Sequence, residues 1–546
     1  MSIVSHGCVA RPRGVLAVND KGSVKNGLCG RANTDQYSGR NPTITLNVAD
    51  GKLAIENNPG SVSGAAAHTR GLYTLFFTEM WERFSYYGMR ALLVLFMVEA
   101  VARGGLGLTD KVATAIYGLY TAGVYLAALP GGWVADRFLG ARRSVWYGGL
   151  VIACGHFTLA IPRVECFYLG LMLVVIGTGL LKPNISTMVG ELYPEGGARR
   201  DAGFTVFYMG INLGAALGPL ICGALGERVN WHYGFAAAGV GMVLGLVQYQ
   251  VMGKNLGNAG LQPGHREGAR ARDWWLLWGL LGTICLGVAL TFLGIFHPNP
   301  VRVAEVTTEL IVAIGLAYFA CVFLWFHLHQ TEKKRMAVIV ILFFASAIFW
   351  SGFEQAGSSL NLFAARYTQR AVLNWVVPAE WFQSLGAIFV ITLAPVVAAL
   401  WLLLGRRGRD FSVPVKFGLG LLLLGGGFLV MAGASVAVAA GHKVWPTWLV
   451  FTYLLHTLGE LCLSPVGLSS VTKLAPRRLM GQMLGTWFLA TSLGNLIAGR
   501  VAGTFSADNV ARMPWEYLQI VLTIGATGVV LLLCAGPIKR LMTGVK

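Results

Sequence analysis

Between residues 71 and 101 a mainly apolar stretch carries Glu79, Glu82, Arg83 and Arg90 together with Tyr86 and Tyr87. At about 100° per residue, Glu79, Arg83, Tyr86 and Arg90 share one narrow helical face, with Glu82 and Tyr87 flanking it. Two carboxyl groups beside a guanidinium titrate as a unit, sharing one proton while the arginine stays charged. Arg90 has no acid at helical spacing and so offers a two-pronged donor to a carboxylate from elsewhere. Three more ionisable residues stand alone in apolar runs: Lys182 in GTGLLKPNIS, Glu354 in FWSGFEQAGSS and Glu460 in HTLGELCLSPVGLS. Lys182 and Glu354 lie in opposite halves of the chain, so a bridge between them is one that protonation breaks, and Glu460 is placed to receive an ammonium group. The bland alternative is a set of structural ion pairs. Against it stands the cost of a charge at the centre of a membrane helix, about 2.5 to 3.5 kcal/mol, which makes each of these residues a functional candidate.

The surroundings of these charges define the class. The chain has 546 residues, 55% hydrophobic and 12% charged, with a mean hydropathy of +0.60; soluble domains carry about 25% charged residues. A hydrocarbon layer about 30 Å thick takes roughly 20 apolar residues per helix, and such runs recur from residue 71 onward. They are continuous rather than alternating, which predicts an all-α membrane protein and excludes a barrel. Helices are expected near 72–101, 112–136, 142–162, 166–192, 201–225 and 232–252, then a pair near 274–296 and 303–329. A second six follow near 335–365, 379–405, 414–440, 446–474, 480–505 and 514–541, about 14 spans in all. The domain reading is a disordered tail over 1–70, a six-helix bundle over 71–253, a loop and two inserted helices over 254–333, and a second bundle over 334–546. A start at Val62 is an alternative reading of the tail, which the mass of the purified N-terminus decides.

The net charge of +18 gathers in alternate loops: Arg137, Arg142 and Arg143; Arg199 and Arg200; Lys254, Arg266, Arg270 and Arg272; Lys333, Lys334 and Arg335; Arg406, Arg407 and Arg409; Lys473, Arg477 and Arg478; Lys539 and Arg540. That side holds roughly twice the Lys and Arg of the other, which places it and both termini in the cytoplasm and accounts for the charge without nucleic acid. Nine cysteines, among them Cys154, Cys222 and Cys462, show no metal spacing, and His156 and His456 stand alone, so neither a metal nor a cofactor is expected. HExxH, GxSxG at a helix end and Walker loops are missing from the sequence, which argues against an enzyme.

Two sets of six helices around an inserted pair suggest the major facilitator architecture. In the loop after the second helix, Gly132, Asp136, Arg137, Gly140, Arg142 and Arg143 form G-x-x-x-D-R-x-x-G-x-R-R, read as a cytoplasmic latch in which Asp136 accepts from the arginines or caps a neighbouring helix end and the glycines let helices approach. With ExxER at Glu79, Glu82 and Arg83, and with GGWVADRFLG, FYMGINLG, GELCLSPVGLS and GTWFLA, the sequence after residue 70 resembles the proton-dependent oligopeptide transporters, bacterial branch. The resemblance implies Arg83, Arg90 and Lys182 near a peptide carboxylate, Glu460 and Asn212 near its amino group, and Tyr87, Tyr125, Tyr208, Trp350 and Trp487 as pocket walls. It implies proton coupling through Glu79, Glu82, Arg83, Lys182 and Glu354, with Lys182 as the partner of Glu354. One departure is Gly386 with Ala387, where many members carry Asn-Pro. The implied function is proton-coupled import of di- and tripeptides across a bacterial inner membrane, by a monomer embedded in lipid. A relative carrying nitrate or a drug-like compound, and a peptide sensor that does not transport, are the alternatives.

Overall fold

The computed structural model describes residues 44–47, 52–55, 59–194, 197–261, 271–372, 374–409, 411–505 and 507–542. It divides into two compact units, Met1–Ser63 and Gly64–Lys546. In the first, β1 (Ile44–Asn47) and β2 (Lys52–Ile55) pair antiparallel with Ile44 opposite Ile55. Helix α1 runs over Pro59–Val98. The sequence reading keeps 1–70 disordered and starts this helix at 72. Helical structure instead begins at Pro59. Proline suits a first helical position, and the Ala-rich run after it propagates a helix without apolar help. Residues 1–43, the Val62 question aside, lie outside the described residues, as do Arg266 and Arg270.

The next helices are α2 (Asp110–Val134), α3 (Ala141–Leu159), α4 (Val164–Glu191), α5 (Gly197–Arg228) and α6 (Trp231–Met252). The inserted pair is α7 (Ala271–Phe292) and α8 (Pro300–Trp325). Then come α9 (Gln330–Phe353), α10 (Ser359–Tyr367), α11 (Ser384–Arg406), α12 (Val413–Ala439), α13 (Thr447–Leu474), α14 (Met480–Ala502), α15 (Met513–Leu533) and α16 (Ala535–Leu541), with the short strands β3 (Ala371–Val372) and β4 (Trp375–Val376) between α10 and α11. With α9 and α10 taken as one broken span and the short α16 left aside, fourteen helices of membrane length result among the described residues. Eleven are long and apolar enough to cross a membrane by length and composition. The three others are α1 with its charges, α3 with Arg142 and Arg143 in its first turn, and α14 with Thr486, Thr491, Ser492 and Asn495. Glu79, Glu82, Arg83 and Arg90 of α1 and the polar residues of α14 are buried in the interior, and the arginines of α3 stand at the basic end, which is why composition alone undervalues these helices.

In the first set, α3 packs on α4 and α6, α2 on α4, and α5 on α6; in the second, α12 packs on α13 and α15, and α14 on α9. The sets meet along α2 with α14 and α5 with α11, and α8 leans on both α2 and α14. No residue in the apolar middle of α7 is buried, a surface suited to acyl chains.

A latch glycine was expected to bring helices together at Gly132. The close approach falls one residue earlier: a Cβ on Gly131 would lie 2.0 Å from the Gly179 carbonyl oxygen of α4, whereas nothing stands within 4 Å of one on Gly132. One residue turns the direction by about 100°, so neighbours in sequence face different helices. Gly131→Leu is expected to abolish monodisperse, folded protein in detergent while Gly132→Ala leaves elution and melting temperature unchanged, as size-exclusion chromatography and thermal unfolding will read.

Candidate functional site

Burial and helical spacing assemble the first cluster. Glu79 and Arg83 are 3% exposed and Glu82 fully buried. Arg83 Nε lies 2.9 Å from Glu79 Oε1 and 2.5 Å from Glu82 Oε2. Glu79 Oε2 and both Glu82 oxygens accept no hydrogen bond from any donor among the described residues. Two carboxyl groups thus compete for one guanidinium, the geometry in which a proton is readily shared or handed on. The Arg83 guanidinium also faces the Tyr86 ring at 5.3 Å.

Two turns along α1, Arg90 reaches the other half of the molecule. Its Nη2 pairs with Glu354 Oε2 at 2.5 Å and its Nε donates to Tyr117 Oη at 2.6 Å. The Tyr87 and Tyr117 rings stack beside it at 5.5 and 5.6 Å. Glu354 is presented by a break in the helix: α9 stops at Phe353, a single 3-10 turn covers Glu354–Gly357, and α10 resumes at Ser359. Gly357 is required there, because a Cβ would lie 2.0 Å from Tyr117 Oη.

The expected bridge between Lys182 and Glu354 is therefore replaced by one between Arg90 and Glu354. Lys182 Nζ lies instead over the Tyr125 ring, 3.8 Å from its centroid. Depth explains this. Tyr117 and Tyr125 are two turns apart on α2, about 12 Å at 1.5 Å per residue, so Arg90 and Lys182 occupy different levels of the same cavity. The missed signal was already visible: a guanidinium in an apolar helix with no acid on its own face demands one from another helix.

Around these groups, Lys182 lies within electrostatic range of Arg83, Glu79, Glu82 and Glu354, and Glu460 within range of Glu354, Tyr87 and Tyr208, with no ion pair or hydrogen bond to them. Lys182, Glu460, Tyr87, Tyr125 and Trp350 are half-buried and Tyr208 is exposed, so protein does not close over this region. Asn212 is buried and donates to the Tyr208 carbonyl oxygen of its own helix at 2.9 Å. Trp487 is turned into the second half, against Gly467 and Phe417, rather than into the cavity. A Cβ on Gly386 would meet only Thr457 Oγ1, at 4.0 Å, so the wall opens where a larger side chain is missing. In the latch, Asp136 and Arg143 are exposed. Arg137 pairs with Asp273 of the inserted helix α7 at 3.4 Å, not with Asp136. Arg142 donates to the Gly253 and Gly257 carbonyl oxygens, tying α3 to the end of α6, and Gly140 turns the chain into α3 with φ of 76°. A separate cavity of about 850 Å³, lined by Ser186, Thr187, Glu191, Arg200 and Asn255, lies in the first half alone, apart from the ionisable cluster.

Side-chain contacts between the halves gather toward the end opposite the basic loops. Arg366 Nη1 and Nη2 donate to Asp110 at 2.6 and 2.8 Å, and Arg370 Nη1 to Glu227 at 2.5 Å. Trp381 Nε1 donates to the Leu220 carbonyl oxygen, Ser384 Oγ to that of Ala216 and Asn361 Nδ2 to that of Ala91. Sequence reasoning did not single these residues out, since charges next to helix ends look solvated.

A sequence model described as the POT family matches residues 142–516. The chain is 41% identical over 502 residues to the peptide transporter YePEPT of Yersinia enterocolitica, covering 90% of this chain and 98% of that one. It is 37% identical to a di-/tripeptide transporter of Lactococcus lactis subsp. cremoris, covering 87% and 97%. Its structure resembles the crystal structure of a mutant peptide transporter POT in complex with alafosfalin, with a TM-score of 0.80, 41% identity and coverage of 87% and 96%. The all-α fold of two six-helix sets with an inserted pair is that of those transporters, and the chain belongs to the POT family.

Proposed function

We propose that this chain is a proton-coupled symporter that imports di- and tripeptides by alternating access. The observation that carries the reading is the ion pair between Arg90 of α1 and Glu354 at the break after α9. A guanidinium cannot lose its proton, so Arg90 always needs an anion, whereas Glu354 can be neutralised. Protonation of Glu354 frees Arg90 for the carboxylate of a peptide, and Glu460 on the opposite wall receives the ammonium group. A zwitterion then spans both halves. The Glu79, Glu82 and Arg83 cluster, with Lys182 close by, supplies a second place to hold the proton on its way through the cavity. The positive-inside bias supports a cytoplasmic position for the basic end, and with the contacts between halves at the other end the conformation is inward-facing. Each proton entering an inner membrane brings about 2.3 kcal/mol per 100 mV, enough to concentrate a neutral peptide many-fold in a working monomer.

Glu354→Gln mimics the protonated acid. It is expected to retain dialanine binding and counterflow in proteoliposomes while proton-driven accumulation and peptide-evoked inward current disappear; full wild-type accumulation in the variant, or uptake by the wild type that survives an uncoupler, rejects the coupling. Tyr117→Phe leaves Arg90 Nε without its acceptor. Hydrogen bonds to charged groups contribute about 1.5 to 3 kcal/mol, so the variant should melt about 1 to 3 °C lower than wild type in detergent and bind dialanine more weakly.

A further inference from the structure

At the end opposite the basic loops, one more acid is buried than the bases there can balance. Glu227 closes α5 and is fully engaged: its Oε1 accepts from Arg370 Nη1 at 2.5 Å and its Oε2 from the Ala379 backbone N–H at 2.8 Å. Arg370 is also occupied, donating to the Val377 carbonyl oxygen at 2.8 Å. Glu380, in the turn leading into α11, is 0% exposed, and neither of its carboxyl oxygens accepts a hydrogen bond among the described residues. Its side chain is pressed against α5, where a Cβ on Gly223 would come within 2.8 Å of Glu380 Cβ and 3.5 Å of Glu380 Oε2. The groups facing its carboxyl are the Glu227 carboxyl, the Arg370 guanidinium and its own backbone N–H. The other bases nearby are committed elsewhere: Arg366 to Asp110, and Arg228 to the Val376 carbonyl oxygen and the Trp375 ring.

An ionised carboxylate in that position would be a buried charge with only another acceptor as its side-chain hydrogen-bonding neighbour, a costly arrangement. A carboxylic acid solves it, because a protonated Glu380 donates to Glu227 and the three side chains together carry no net charge. We propose that Glu380 and Glu227 form a proton-binding pair in the outer gate: closing α11 onto α5 traps one proton from the outer medium between the two carboxyl groups, and separating the helices releases it. The pair is distinct from the Arg90 and Glu354 bridge, and the inference rests on the reading of the chain as an inward-open, proton-driven symporter. The closed gate binds one proton more than the open gate, in which an exposed glutamate titrates near its ordinary value of about 4.3. The ratio of closed to open molecules therefore rises as pH falls, by up to about tenfold per pH unit above that value.

Spin labels on Val229→Cys and Trp445→Cys, exposed positions of opposite halves beside this gate, on full-length protein without native cysteines in lipid nanodiscs, report the distance by pulsed electron resonance from pH 5 to pH 9. No peptide and no gradient is present, so the outcome is separate from the uptake test of symport. The wild type should gain a longer-distance population as pH rises. Glu380→Gln, whose amide donates to Glu227 at every pH, should stay at the short distance throughout. Glu227→Gln leaves Arg370 for an ionised Glu380 and should flatten the response as well, which provides a second test should Glu380→Gln fail to fold. A wild-type distance that ignores pH, or variants that keep the wild-type shift, would overturn the proposal.

Discussion

A guanidinium in the middle of a membrane protein is a permanent charge, and the rest of this molecule is arranged around giving it an anion. Arg90 is 6% exposed and finds its partner only across the boundary between the two halves, at Glu354. The demand shapes local structure on both sides. The α9 helix breaks so that Glu354 faces α1, Gly357 gives up a side chain to admit Tyr117, and Tyr117 fixes the remaining edge of the guanidinium. Paired this way the charge is tolerated; left alone it would cost several kcal/mol. On the function proposed above, a partner that can itself be neutralised makes the arrangement a switch and not only a brace.

The two halves are held internally by close helix packing, and part of the boundary between them is made of a different kind of contact. Within the first half, α3 and α4 approach glycine to backbone: a Cβ on Gly148 would lie 2.7 Å from the Gly177 carbonyl oxygen and one on Gly155 2.9 Å from that of Gly170. Such surfaces interlock in one way and resist sliding. Between the halves, the seam at the end opposite the basic loops adds ion pairs and side-chain donors to backbone carbonyls, as with Arg366 and Asp110, Ser384 and Ala216, or Trp381 and Leu220. Hydrogen bonds of this type can be exchanged for water with little net loss. Rigid bodies meeting at replaceable contacts are what rocking motion needs.

How much of this was readable beforehand follows from what a sequence encodes directly. Helix number and the ionisable candidates were legible because charges are rare in apolar runs and each stands out. The face shared by Glu79, Arg83 and Arg90 was legible from helical period alone. Depth between helices was not: period places Lys182 and Glu354 on their own helices but cannot say that Arg90 is the cation at the level of Glu354. The same limit moved the tight glycine from Gly132 to Gly131 and sent Arg137 to Asp273 in place of Asp136. Tyr117 was overlooked because a tyrosine in an apolar helix looks like packing. Glu380 was overlooked because an acid at the very start of the helix expected near 379–405 looks solvated, although it is fully buried.

The contacts between halves are also unequal on the two sides of the cavity. On the side of α2 and α14, backbone meets backbone: a Cβ on Gly118 would stand 3.1 Å from both the Asn495 carbonyl oxygen and Gly499 Cα, and α8 leans on both helices at once. Parting these helices would open an apolar seam and strip α8 of one of its two supports. On the side of α5 and α11 the seam has a small apolar contact of Ala215 and Ala216 with Ala387, and beyond it hydrogen bonds and the Glu227, Arg370 and Glu380 group, which water and protons can replace. An outer opening that hinges near Gly118 and Gly499 and swings α11 away from α5 therefore gives up the least packing, and it leads solvent first to Glu380 and only then to Arg90.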